Sequence, residues 1–134
     1  MLDFLAARNG GDAFEAGLDM RRAVLGPAYV ARALEGATEF DRDFQHFITE
    51  TAWGKVWTRP GLPRAMRSLL VLAITASLGR EEEFKLHLRA TRNTGATREE
   101  IAEALMQVAI YAGVPAANAG FRMAKAIFRE EEAG

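Results

Sequence analysis

The chain has 134 residues, 49% of them hydrophobic, enough for one core and a single domain over 1–134. Its 17 basic and 18 acidic residues nearly cancel, so neither a nucleic-acid backbone nor an anionic membrane is the expected partner. With no cysteine, disulfides, thiolate metal sites and thiol catalysis are excluded together.

Residues 1–11 end in Asn9-Gly10-Gly11, a breaker cluster, and read as a loose leader. The first residues carry no basic start and no apolar run of signal-peptide length. No later segment approaches the ~20 apolar residues of a membrane span, and a cytoplasmic protein is expected. Asp12 is a plausible N-cap for a first helix through Phe14, Leu18 and Arg21, stopped by Gly26-Pro27. Pro27 then suits the first turn of a short second helix ending at Gly36.

Thr38 and Asp41 resemble a capping arrangement, and Phe40, Phe44, Phe47 and Ile48 recur as the aromatic face of a third helix. From Thr51 to Pro63, the residues Gly54, Pro60, Gly61 and Pro63 argue for a structured loop anchored by Trp53 and Trp57. Together with Phe44 and Phe47, these tryptophans suit a core or a subunit interface better than a cofactor box. Pro63 to Leu78 reads as a central helix, apolar on every side of its middle and therefore surrounded by other helices.

Gly79 ends that helix, and the next one runs to Gly95. Along it Arg80, Glu83, His87, Thr91 and Thr94 fall on one stripe, opposite a solvated face of Glu81, Lys85, Arg89 and Arg92. Thr97 and Glu100 form a capping box for a helix bearing Ile101, Leu105, Val108 and Ala112, stopped by Gly113. Val114-Pro115 opens the last helix, with Phe121, Ala124, Ile127 and Phe128 as its apolar stripe. No strand pattern appears. The expected fold class is all-α, with antiparallel neighbours among the later helices.

His87 is the leading candidate for chemistry, because a carboxylate one turn away at Glu83 suits holding the imidazole in position or raising its pKa. Such pairs also arise on ordinary exposed helices. The same spacing suits two metal ligands, but a third is lacking and no metal site is expected. His46, between Phe44 and Phe47, reads as the edge of a packed helix. Arg64 and Arg67 share a face with Ser68, and Arg59 lies in the loop. Each is either a surface charge or a bidentate fork for a carboxylate.

Five strings bring these residues together: Ala52-Trp53-Gly54-x-x-Trp57-x-Arg59-Pro60-Gly61-Leu62, Arg67-Ser68-Leu69, Gly79-Arg80-x-x-Glu83-x-x-x-His87-x-Arg89-Ala90, Asn93-x-Gly95-x-Thr97-x-x-Glu100-Ile101, and Tyr111-Ala112-Gly113-Val114-Pro115-Ala116-Ala117-Asn118. With Arg21-Arg22-Ala23-Val24-Leu25-Gly26 upstream, their order and spacing resemble the gamma-carboxymuconolactone decarboxylase family from about residue 14 to 128. The resemblance implies a compact helical fold of the alkylhydroperoxidase D type, a homo-oligomer (trimer or hexamer) and no cofactor. It also implies a small-molecule substrate, a dicarboxylated lactone. Peroxidase relatives of that fold carry a Cys-x-x-Cys where this chain has Arg80 and Glu83.

The reaction implied is loss of carbon dioxide from 4-carboxymuconolactone to give 3-oxoadipate enol-lactone, in the protocatechuate branch of the beta-ketoadipate pathway. By the same resemblance, His87 donates a proton or hydrogen-bonds the developing oxyanion, with Glu83 orienting it. Arg64 and Arg67 would hold the substrate carboxylates, with Arg80 and Arg59 next in line. The competing expectations are a paralogue acting on another carboxylated lactone or keto acid, and a non-catalytic helical oligomer serving as an interaction module.

Overall fold

Residues 11–134 are described by the structure, a computed structural model. The expected leader, apart from its last residue, Gly11, lies outside them. Contacts group the chain into two units, Met1–Leu62 and Pro63–Gly134.

In the first unit, α1 (Gly11–Leu25) begins one residue before the expected cap, so Asp12 sits in its first turn, where a carboxylate complements the helix dipole. Gly26, at φ 95°, breaks the chain, and Pro27 opens α2 (Pro27–Glu35) as expected. Thr38 and Asp41 do meet. The Asp41 carboxylate accepts from the Thr38 backbone N–H at 2.7 Å, and Thr38 Oγ1 accepts from the Phe40 N–H at 3.2 Å. The pair closes a turn instead of opening a helix, so α3 spans only Arg42–Ile48. Phe40 therefore precedes the helix, and Phe40, Phe44 and Phe47 are all exposed.

The loop expected from Thr51 is corrected in its first half. A π-helical segment, Thr49–Val56, continues directly from α3. Hydroxyls support this wide winding: Thr49 donates to the Gln45 carbonyl at 2.8 Å and Thr51 to the Phe47 carbonyl at 2.7 Å. Gly54 is a contact point here, not a breaker. A Cβ on it would overlap the Ala13 carbonyl oxygen, and a Cβ on Gly17 would overlap that of Thr49 and stand 2.8 Å from the Gly54 nitrogen. Two glycines thus let α1 and the π-helical segment touch backbone to backbone. Trp53 and Trp57, both buried, stack at 5.0 Å between ring centroids.

The second unit is four helices: α4 (Arg64–Leu78), α5 (Glu81–Thr94), α6 (Arg98–Tyr111) and α7 (Val114–Ala133). The expected stops hold. Gly79 and Gly95 take left-handed φ of 71° and 87°, and the Thr97/Glu100 capping box closes in both directions, at 3.1 and 2.9 Å. The core is built from Leu72 and Ala76 of α4, Phe84 and Leu88 of α5, Ile101, Leu105 and Val108 of α6, and Ala124 and Ile127 of α7. Fully burying each large apolar side chain contributes roughly 1.5–3 kcal/mol. At the edge, Arg98 lies 4.2 Å over the Phe128 ring and Arg89 reaches Glu130 at 3.3 Å.

Within its own chain α4 is not surrounded on every side. Its Leu72 and Ala76 face the core, but Met66, Leu70, Ile74 and Leu78 form an exposed row at intervals of four residues. An all-apolar helix pattern states that every face avoids water; it does not state that the same chain covers each one.

Candidate active site

The α5 sequence accounts for its own placement. Glu81, Glu82 and Glu83 occupy the first turn and Arg92 the last, the favourable arrangement for the helix dipole. Phe84, Leu88, Ala90 and Thr91 supply a buried face, and His87, three residues after Phe84 and four before Thr91, is carried inside with them at 6% exposure. The expected polar stripe is therefore partly an interior one.

Glu83 lies one turn away, its Oε2 3.8 Å from His87 Nε2, longer than a hydrogen bond and an ion pair only when the imidazole is protonated. The Glu83 side chain is 61% exposed. Burial dominates the electrostatics. Loss of hydration pushes the His87 pKa down to about 4, so the imidazole is neutral at neutral pH. The expectation that Glu83 raises this pKa is corrected, because a solvated carboxylate at that distance does not offset the cost of a buried imidazolium.

A titration follows. In the unfolded chain His87 binds a proton near pH 6.5, whereas in the folded chain it does so only near pH 4. The unfolded state holds more protons between these values, so stability falls as pH drops through that window. From pH 7 to 5 this group alone should remove on the order of 2 kcal/mol of unfolding free energy. Urea titrations of the wild type and His87→Gln at both pH values check this. The variant should lose most of that slope; an equal slope in both would place the titration elsewhere.

Ser68 and Thr94 fix the other end of the hairpin. Their hydroxyls lie 2.7 Å apart, joining the first turn of α4 to the last turn of α5, and Ser68 is fully buried. Thr91 instead donates to the Leu88 carbonyl of its own helix at 2.6 Å. Arg64 (exposed) and Arg67 (half-buried) belong to that first turn of α4, while Arg80 is exposed at the opposite end, as the N-cap of α5. His87 is midway between, ~10 Å along the α5 axis from either end. The structure thus brings His87 and Glu83 together and distributes Arg64, Arg67 and Arg80 over the two ends of one helical hairpin. Arg59 belongs to the first unit, exposed just beyond the π-helical segment, its N–H donating to the Val56 carbonyl at 3.0 Å.

One notable residue had no role assigned from sequence. Arg21 is almost wholly buried in the first unit, its Nη1 donating to Gln45 Oε1 at 3.1 Å and Thr49 Oγ1 at 3.0 Å. The signal was its position between Leu18 and Val24 on the inward stripe of α1, where an arginine is out of place. His46 behaves as the edge residue it was read to be, stacked on Phe14 at 4.4 Å and 50% exposed. Among the described residues no group of three His, Cys, Asp or Glu is arranged to hold a metal ion, and no helix is long and apolar enough to cross a membrane.

A neutral imidazole carries one N–H to donate and one nitrogen to accept. Held in a dehydrated setting on a packed helix, it suits stabilising negative charge that develops on a substrate oxygen. Comparisons with known proteins agree on one family. The chain is 46% identical over 122 residues to a 4-carboxymuconolactone decarboxylase of Acinetobacter baylyi, covering 91% of each. It is 47% identical over 102 residues to the nitrosuccinic acid decarboxylase npaB of Metarhizium robertsii, covering 76% of this chain and 71% of that one. Over 41 residues it is 49% identical to a 4-carboxymuconolactone decarboxylase of Pseudomonas putida, covering 31% of this chain and 85% of the other. The sequence model of the Carboxymuconolactone decarboxylase family matches residues 42–126, and the chain belongs to that family.

Proposed function

We propose that this protein decarboxylates 4-carboxymuconolactone to 3-oxoadipate enol-lactone, without a cofactor, in the protocatechuate branch of the beta-ketoadipate pathway. The observation that carries the reading is near-full-length similarity to a relative of that name. The substrate explains why no cofactor is required. Its departing carboxylate sits gamma to an unsaturated lactone carbonyl. When the carbon–carboxylate bond breaks, the electron pair moves through the double bond onto the carbonyl oxygen. The ring is the electron sink. A proton taken up at the alpha carbon completes the enol-lactone, so one proton is consumed for each carbon dioxide released.

Of the two roles expected for His87, the lowered pKa favours the second. Its N–H hydrogen-bonds the lactone oxygen as charge develops there, which is worth ~10²–10³ in rate for a single donor. Transfer of that proton outright would leave an imidazolate, a far costlier species. Glu83 acts as a positioning residue for the ring. Arg67 and Arg64, one turn apart at the start of α4, hold the acetate-arm carboxylate, whereas Arg80 stands at the opposite end of the hairpin, too far away to share it. The departing carboxylate is better left loosely solvated, because a firm clamp on it would stabilise the ground state.

We further read the protein as cytoplasmic, and as a homo-oligomer because its exposed apolar residues exceed what a lone subunit needs. Purified protein treated with chelator should convert 4-carboxymuconolactone faster than it converts other carboxylated lactones or nitrosuccinate. Arg67→Ala should raise KM about tenfold or more with kcat nearly unchanged, the pattern of lost uniform binding. Preference for nitrosuccinate would shift the reading to the relative of that name, because a nitro group beside a carboxylate is also an electron sink. Turnover of none of these substrates would leave the interaction-module reading.

A further inference from the structure

The second unit leaves one apolar surface unaccounted for. Met66, Leu70, Ile74 and Leu78 stand exposed along ~18 Å of α4. Beside the first half of this row, a groove of about 480 Å³ runs between α4 and α6, floored by Leu69, Ala73 and Ala104 and rimmed by Glu99, Glu100 and Glu103. Beyond it, Met106 and Ile110 of α6 are exposed as well. The acidic rim disfavours a lipid surface, which in cells is anionic. It also distinguishes this face from the candidate active site, since none of its residues is His87, Glu83, Arg64 or Arg67.

We propose that this α4/α6 face is a two-fold contact between two copies of the chain, with Arg80 of each copy paired to Glu99 of the other. The inference rests on the homo-oligomer reading above and names its surface. The sequence of the row is self-complementary. A two-fold axis at the level of Leu72 sets Met66 against a second copy's Leu78, and Leu70 against a second copy's Ile74, each contact occurring twice, as an isologous interface requires. Rows at intervals of four residues interdigitate well in such helix crossings.

Charge follows the same symmetry. The glutamate rim adjoins the Met66 end of the row, while Arg80 follows Leu78 and Gly79 at the other end. An antiparallel pairing therefore brings each Arg80 over the other copy's Glu99. Both are exposed, and among the described residues neither pairs with an opposite charge inside its own chain. The apolar row thus meets an apolar row, and Arg80, just beyond the Leu78 end, meets the acidic rim.

The test is the mass of the assembly by light scattering, for the wild type, Leu70→Glu, Ile74→Lys and an equimolar mixture of the two variants. Both positions are exposed in the single chain, and circular dichroism reports whether each variant stays folded. Each variant alone should drop the assembly mass by about twofold or more, as expected when one class of symmetric contact is lost. The mixture should recover the contact, because a glutamate at position 70 then faces a lysine at position 74. Arg80→Glu should weaken the contact and Glu99→Arg in the same chain should restore it. A monomeric wild type would end the homo-oligomer reading and this proposal with it. A wild-type oligomer whose mass survives both variants overturns the proposed face alone, and variants that dissociate without recombining overturn the register.

Discussion

His87→Ala should lower kcat by ~10²–10³ while leaving the helices folded, and His87→Gln, which keeps an N–H donor, should recover part of that loss. The side chain lies on the inner face of α5 beside Phe84 and Leu88, so alanine leaves a cavity and costs some stability. For a truncation of that size the cost is roughly 2 kcal/mol. Activity must therefore be read per folded molecule, below the melting transition of each variant. A purely structural histidine would show the opposite pattern, with reduced stability and unchanged specific activity. The size of the expected loss follows from placement. A donor already dehydrated and fixed by packing spends little reorganisation energy when the oxyanion forms.

The largest effect on folding should come from Gly54→Ala, with a loss of about 3 kcal/mol or more in the first unit. Helix propensity alone predicts the reverse, since alanine in place of glycine inside a helix gains ~1 kcal/mol. Geometry outweighs it. The new Cβ would overlap the Ala13 carbonyl oxygen, a backbone atom of α1 that cannot swing aside, and Gly17 meets the Thr49 carbonyl in the reciprocal contact. Gly120→Ala in the second unit is the internal comparison. Its Cβ would stand 2.7 Å from Leu105 Cδ2, the end of a flexible side chain, so about 1 kcal/mol is expected. Denaturant melts of the two variants separate these cases. A Gly54→Ala protein as stable as Gly120→Ala would mean that α1 and the π-helical segment do not touch as described.

These cases mark where the sequence was legible. Helix ends were, because they are set by local chemistry: Gly26-Pro27, the left-handed Gly79 and Gly95, and the Thr97/Glu100 box each act within one turn. The polar stripe of α5 was legible for the same reason, since periodicity fixes which residues share a face. Gly54 was misread because glycine has two meanings, a breaker or a point of close approach. Only the position of Gly17, far away in sequence, distinguishes them. The π-helical winding around Gly54 left no local pattern to find.

The open rows of α3 and α4 escaped for a related reason. Phe44, Phe47, Leu70 and Ile74 announce that something apolar covers them, but the pattern carries no label for whether that is the same chain. The His87 pKa was misjudged in direction because spacing revealed Glu83 while burial stayed hidden, and burial is the larger effect. Arg21 shows the converse. Its buried contacts with Gln45 and Thr49 depend on helices that only the fold brings together.

In the proposed reaction a buried, neutral His87 stabilises the oxyanion of a cofactor-free decarboxylation. The most direct test of this role is the pH dependence of kcat/KM for 4-carboxymuconolactone, which reports ionisations of the free enzyme. A neutral donor with a pKa of about 4 predicts a profile without a histidine limb between pH 5 and 8. A profile that falls tenfold per pH unit above about 6.5 and is abolished by His87→Gln would instead require a protonated imidazole as the acid, and would contradict the account.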